Sequence, residues 1–352
     1  MTHTDGTTPE SPTTTAAAVF QMITGHYLST AISTAARINL ADTMDAPAIS
    51  HHVLAERTGT HPDSLIRLLQ LFATTGLVTD DGDGRFTLTP AGRLLRTDDE
   101  ESLHAVALMH ASSGHMQRWF ALGDQLTEAP KAGRAEPSSN PFAQMPPHVA
   151  AVFNRAMSFF ARHTAGAVIE GYDFGRFRTV VDVGGGEGTL LAAVLKATPG
   201  LHGTLLELPS AVEAGRQALA EAGVADRSEV IGGDFFDSVP PGRDAYLLKN
   251  IVHDWDDEPS RTLLRNIRDA MKEDSRLLLV ETVRPDRFGP TVADRLAAYS
   301  NLGMLLNGGS ERSEQEYAEL LASAGLTLRA VVPVYPVWTG APTGSVIEAV
   351  RS

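Results

Sequence analysis

The stretch LKNIVHDWDDE, residues 247–257, passes from the apolar Leu247, Leu248, Ile251 and Val252 to His253, Asp254 and Trp255, and then to an acidic cluster. An imidazole titrates near pH 6.5 when unperturbed, so it can take up a proton close to neutrality. It is useful as a base only beside a group worth deprotonating. Other apolar runs end in the same abrupt way. VVDVGGGEGTLL places Asp182 before Gly184, Gly186 and Gly188; TLLELP ends near Glu207; GGDFF carries Asp234 and Phe235; AYLLK stops at Lys249 and RLLLVET at Glu281.

The glycine-rich turn first suggests a dinucleotide. Its spacing argues otherwise, because the third small residue of that fingerprint would fall at position 189, which is Thr189. Glu187 also puts a negative charge at the helix start, where a pyrophosphate would have to sit. A ligand that approaches the backbone closely without bringing phosphate fits better, and S-adenosylmethionine is such a ligand. Asp182, Gly184 and Gly186 would then form its turn. Glu207, about 20 residues on, would accept from its ribose hydroxyls. Asp234 would accept from the adenine amino group while Phe235 lies against the ring.

These residues need elements to position them. From residue 178 onward, short apolar runs (TVVDV, TLLEL, SEVIG, DAYLLK, SRLLLVET) alternate with helical stretches such as GTLLAAVLKATPG and RTLLRNIRDAMKE. Alternation of this kind predicts right-handed βαβ crossovers and an α/β fold with a mostly parallel sheet. Ligands of such sheets bind outside the carboxyl ends of the strands, where every residue named above falls. LTLRAVVPVY and GSVIEAVRS read as two closing strands, paired antiparallel at one edge.

Ahead of this lies a different pattern. SHHVLAERTG and HPDSLIRLLQLFATTG predict two helices, with Gly76 as a C-cap, and LVTDDGDGRFTLT predicts a hairpin. The order is winged-helix-like, which raises DNA binding. Against it stand the apolar Leu65, Ile66, Leu68, Leu69, Leu71 and Phe72 of the second helix, the acidic hairpin tip at Asp80, Asp81 and Asp83, and a net charge of -14. A helix apolar on more than one face suits a protein interface instead. The domain reading is a disordered tail at 1–15, a winged-helix-like dimerisation domain at 16–110, a helical linker region at 111–170, and a ligand-binding α/β domain at 171–352.

Composition narrows the chemistry further. The chain has 352 residues, 43% hydrophobic content and no cysteine, which excludes disulfides, thiolate metal sites and cysteine nucleophiles. No apolar run is long enough to span a membrane and no secretory signal is evident, so the expectation is a cytoplasmic protein with no membrane or nucleic-acid partner. No set of histidines and carboxylates has metal-ligand spacing along the chain, so no metal is expected.

DVGGGEGTLL, LLELPSAVE, GDFFDSVP, YLLKNIVHDWDDE and NGGSERSEQEYAELLASAGL, in this order and spacing, resemble the two-domain S-adenosylmethionine-dependent O-methyltransferases. That family includes caffeate-type plant enzymes and bacterial tailoring enzymes of aromatic natural products. The resemblance covers residues 16 to 350. It implies a Rossmann-like class I methyltransferase domain with a seven-stranded sheet, S-adenosylhomocysteine as coproduct, and a homodimer whose N-terminal domain contributes to the partner's pocket. It implies that His253 is the general base, flanked by Glu281 and Glu311, and that Asp254 positions the acceptor. Lys249 would contact the cofactor, and Phe153, Met157, Met304 and Asn307 would line the pocket for a hydroxylated aromatic. Such a base is useful, because a phenol with a pKa near 10 is only about 0.1% ionised at pH 7. Asn301 departs from the aspartate that bacterial relatives often carry. Two other readings stand beside this one: a relative that methylates nitrogen or carbon or does not methylate, and a winged-helix regulator that senses a ligand.

Overall fold

The computed structural model describes residues 12–110, 112–127, 146–336 and 344–352. The chain divides into two compact units, residues 1–118 with 146–159, and residues 119–145 with 160–352.

The first unit begins with α1 (Pro12–Arg37), so the last residues of the expected tail are helical; residues 1–11 lie outside those described. β1 (Ile49–Ser50) leads into α2 (His51–Thr58), where the Ser50 hydroxyl accepts from the His52 amide and caps the helix. α3 (Pro62–Thr75) follows. Both helices stop at glycines in the left-handed region, Gly59 at φ 67° and Gly76 at φ 76°, as the sequence signals for C-caps require. α3 turns Leu65, Leu69 and Phe72 into the core at helical spacing. The hairpin β2 (Val78–Gly82) and β3 (Arg85–Leu88) joins β1 in a small sheet ordered β1-β3-β2. α4 (Pro90–Arg93), α5 (His104–His110) and α6 (Ser113–Phe120) complete this region. Residues 128–145 of the expected linker region lie outside those described.

After α7 (Leu122–Thr127), α8 (Pro147–Gly171) leads into the second unit. There β4 (Thr179–Val183), α9 (Thr189–Ala197), β5 (His202–Glu207), α10 (Val212–Glu221), β6 (Ser228–Gly232), β7 (Ala245–Lys249), α11 (Asp257–Ala270) and β8 (Arg276–Glu281) alternate as the pattern predicts. α12 (Val292–Asn307), α13 (Glu314–Ser323), β9 (Leu326–Val334) and β10 (Gly344–Arg351) follow. Seven strands form one sheet, ordered β6-β5-β4-β7-β8-β10-β9. β4 to β8 are parallel, and β10 runs antiparallel to both β8 and β9. The closing pair lies at one side as expected, with β9 as the edge and β10 inserted against β8.

The strands are apolar on both faces because both faces are covered. Val180, Leu247 and Leu278 pack on one side with α9, while Val181, Leu248 and Leu279 pack on the other with α11 and α13. The chain winds from β4 outward to β6, then returns to lay β7 on the other side of β4. That reversal opens a crevice at the carboxyl ends of β4 and β7.

Candidate active site

The turn after β4 runs along this crevice. Gly184 and Gly186 adopt φ values of 71° and 62°, where a side chain would be strained. A Cβ on Gly184 would also come within 2.9 Å of Ile251 and 3.3 Å of Phe235, so only bare backbone fits. Glu207, at the end of β5, accepts from the amides of Gly186 and Leu208, both at 2.8 Å. Asp234 accepts from the Phe236 amide at 2.8 Å, and the Phe235 and Phe236 rings lie 4.8 Å apart. A glycine cradle, a partly exposed carboxylate on the next strand and an aspartate–phenylalanine pair on the third suit a nucleoside ligand without phosphate.

Asp182, on β4, lies beneath this turn. It is fully buried, and a Cβ on Gly185 would overlap its carboxylate. Neither oxygen has a hydrogen-bond partner among the described residues. Burial, reinforced by Glu207 and opposed by Lys249, pushes its pKa up to about 7. It therefore supports the turn from beneath. Burial lowers the Lys249 pKa, against the pull of Glu281 and Asp182.

His253 sits on a short 3-10 turn, Val252–Asp254, just beyond β7. Only 8% of the residue is exposed. Its Nδ1 donates to Glu311 Oε1 at 3.1 Å and lies 3.5 Å from Glu281 Oε2; Nε2 is 3.9 Å from Asp254 Oδ1. Glu281, the last residue of β8, also accepts from the amides of Ile251 and Val252 at 3.1 and 2.9 Å. Glu311 is further fixed by the Ser300 hydroxyl at 2.6 Å. Burial alone would lower the imidazole pKa, but Glu281, Glu311 and Asp254 outweigh it and raise it to about 9. Burial, together with the charge of Glu311, pushes Glu281 up to about 7 against the pull of His253.

The metal-spacing argument holds along the chain but fails in space. Donor atoms of His253, Glu281 and Glu311 lie within 4.8 Å of one another, a set that could hold a cation. The same three groups also bind one another directly, with Nδ1 3.1 Å from Glu311 Oε1 and 3.5 Å from Glu281 Oε2.

The substrate-side residues fall in both units. Phe153 and Met157 are partly buried on α8 within the first unit, whereas Met304 is partly buried on α12 in the second. Asn307 ends α12, and its side chain lies outside those described. Several polar groups at the site went unread in the sequence: Ser300, Ser310, whose amide donates to the His253 carbonyl at 3.0 Å, and the buried Arg312. Adjacency of Arg312 to Glu311 is the one signal that pointed to it. Asn301, noted as a departure, accepts from the Glu311 amide at 3.1 Å through its Oδ1, as an aspartate oxygen would. Ser313 and Glu316 form a capping box at the start of α13.

Comparison with known proteins agrees with this geometry. A family model described as the O-methyltransferase domain matches residues 139–327, and one described as the O-methyltransferase dimerisation domain matches residues 20–98. The mitomycin biosynthesis 6-O-methyltransferase of Streptomyces lavendulae is 38% identical over 338 residues, which cover 93% of this chain and 95% of that one. The solved structure of the mitomycin 7-O-methyltransferase MmcR aligns with a TM-score of 0.83 at 36% identity, covering 97% of this chain and 100% of its own. NcsB1 from neocarzinostatin biosynthesis, solved with S-adenosylmethionine and 2-hydroxy-5-methyl naphthoic acid, aligns with a TM-score of 0.73 at 30% identity, covering 92% of this chain and 96% of its own. The dimerisation domain indicates a homodimer. The chain belongs to the S-adenosylmethionine-dependent O-methyltransferases.

Proposed function

We propose that the protein methylates a hydroxyl group on an aromatic small molecule of natural-product biosynthesis, with His253 as the general base. The observation that carries this reading is the buried His253 held through Nδ1 by Glu311 and Glu281, at 3.1 and 3.5 Å, just past the carboxyl end of β7. With Nδ1 committed to a carboxylate, Nε2 is the nitrogen left to take a proton from an acceptor. Bound S-adenosylmethionine supplies an electrophilic methyl group on a sulfonium. Gly184 and Gly186 would admit it to the backbone, Glu207 would hold the ribose, Asp234 and Phe235 the adenine, and Lys249 would face its other end. His253 would take the hydroxyl proton as the acceptor oxygen receives the methyl group that the sulfonium gives up, the sulfur leaving as the thioether of S-adenosylhomocysteine. Glu311 and Glu281 hold the imidazolium that results, and Asp254 orients the acceptor. By family resemblance Phe153, Met157, Met304 and Asn307 are the candidates for contact with an aromatic ring. Relatives acting in mitomycin and neocarzinostatin biosynthesis support this substrate class.

The test is transfer of a labelled methyl group to a panel of hydroxylated aromatics, comparing wild type with His253→Ala. Transfer to oxygen should fall by roughly 10²-fold or more while cofactor binding persists. Unchanged transfer in the variant would return His253 to a structural role and open the question of nitrogen, carbon or non-methylating chemistry.

A further inference from the structure

We propose that Arg312 is the positioning residue for His253, an assignment that rests on the reading of His253 as the base. The turn carrying His253 is too short to hold itself. Val252–Asp254 is one 3-10 turn, entered through Asn250 at φ 54°, a left-handed backbone that is uncommon outside glycine. Partners must therefore set its orientation.

Arg312 is placed to do so. Its Nη1 donates to the Val252 carbonyl at 3.1 Å and its Nη2 to the Trp255 carbonyl at 2.9 Å. These carbonyls bracket His253, so one planar guanidinium spans the turn. Asp257, the first residue of α11, ties down the same fork: its Oδ1 accepts from Nη2 at 2.8 Å and from Nε at 3.2 Å. The other end of Arg312 is fixed as well. Its backbone carbonyl accepts from the Arg284 amide at 2.9 Å, and it bridges to Val283 just beyond β8. Only 4% of the residue is exposed. Consecutive residues thus hold the two parts of the base, Glu311 its imidazole and Arg312 the backbone on either side.

This arrangement matters for rate more than for binding. Catalytic groups must be held to within about 0.5 Å, and a misplacement of about 1 Å can cost roughly 10²-fold. The cofactor crevice is built from the ends of β4, β5 and β7 and the turn after β6, whose residues named for the cofactor make none of the Arg312 side-chain bonds. Lysine cannot replace the fork, because a single ammonium cannot reach both carbonyls and the carboxylate with the same rigidity.

The experiment compares wild type with Arg312→Lys for kcat, the cofactor dissociation constant, the pH profile of kcat and the low-field proton signal of the Nδ1–H bond. The expected result is a loss of about 10- to 100-fold in kcat, a cofactor dissociation constant within about threefold of wild type, a displaced pH midpoint and a broadened or missing low-field signal. A kcat within about twofold of wild type, or loss of cofactor affinity in parallel with kcat, overturns the proposal. If Arg312→Lys does not fold, Asp257→Ala decides, since that side chain is 68% exposed and its loss frees one edge of the fork. A fall in kcat of about threefold or more with intact cofactor binding supports the assignment, and an unchanged kcat overturns it. His253→Ala separates the two failures. Transfer that survives it removes the base reading; transfer that it abolishes, together with an active Arg312→Lys enzyme, removes only the role of Arg312.

Discussion

A base that already holds a proton cannot act, and the surroundings of His253 favour the proton. Three carboxylates hold the imidazole pKa at about 9 despite burial. The proton-free form therefore gains population as pH rises through that range, and methyl transfer should rise with it. A cationic ligand nearby opposes a second positive charge. Titrating the His253 imidazole by NMR should give a midpoint well above 6.5 in the free enzyme. The midpoint should be lower with S-adenosylmethionine, which carries the sulfonium charge, than with S-adenosylhomocysteine, which does not. Equal midpoints in both complexes, or a free-enzyme value at or below 6.5, would remove this account of activation. The same shift has a stability sign. A group raised from 6.5 to about 9 contributes stability that is fully present below 6.5 and is lost as pH climbs through 9. Thermal midpoints should therefore decline across that window, and less so in His253→Ala.

The segment between α12 and α13, residues 308–313, carries Glu311 and Arg312 and presses directly on the His253 turn. Gly309 marks the closest approach, because a Cβ there would overlap the His253 carbonyl oxygen and come within 3.1 Å of the Asp254 Cα. Gly309→Ala should force the two segments apart, destabilising the fold by about 1–3 kcal/mol and lowering kcat. Calorimetry and steady-state rates check both effects, and a variant equal to wild type in each would show that the contact yields without consequence. This meeting also shows where sequence reading succeeds and where it stops. β4 to β8 were legible because doubly covered strands read as short apolar runs, and their final residues were legible because parallel sheets bind ligands there. Glu311 was reached only through family resemblance, being 58 residues from His253 in sequence. Arg312 was missed because its partners are backbone carbonyls 57 and 60 residues away, which leave no local pattern. The depth of Asp182 beneath its turn is a property of packing and not of spacing.

At the scale of the whole molecule, α1 poses a question that one protomer does not answer. Its last turns are ordinary core, with Ser33, Ala35 and Ala36 at most 4% exposed. Its first half is the reverse: Val19, Phe20, Met22, Ile23 and Tyr27 are between 49% and 76% exposed. Burying a large apolar side chain is worth about 1.5–3 kcal/mol, so leaving this many in water would be costly, while pairing them across a dimer would help to hold it. The dimerisation family model spans residues 20–98 and so includes most of this stretch. It follows that α1 should serve the homodimer through its first half and the protomer core through its second. Phe20→Glu combined with Ile23→Glu changes only exposed positions, so each protomer should keep its fold and its circular dichroism. Sedimentation velocity should then report a shift from dimer toward monomer at micromolar concentration. An unchanged dimer with both glutamates in place would move the interface elsewhere in the domain and leave the apolar half of α1 for another partner.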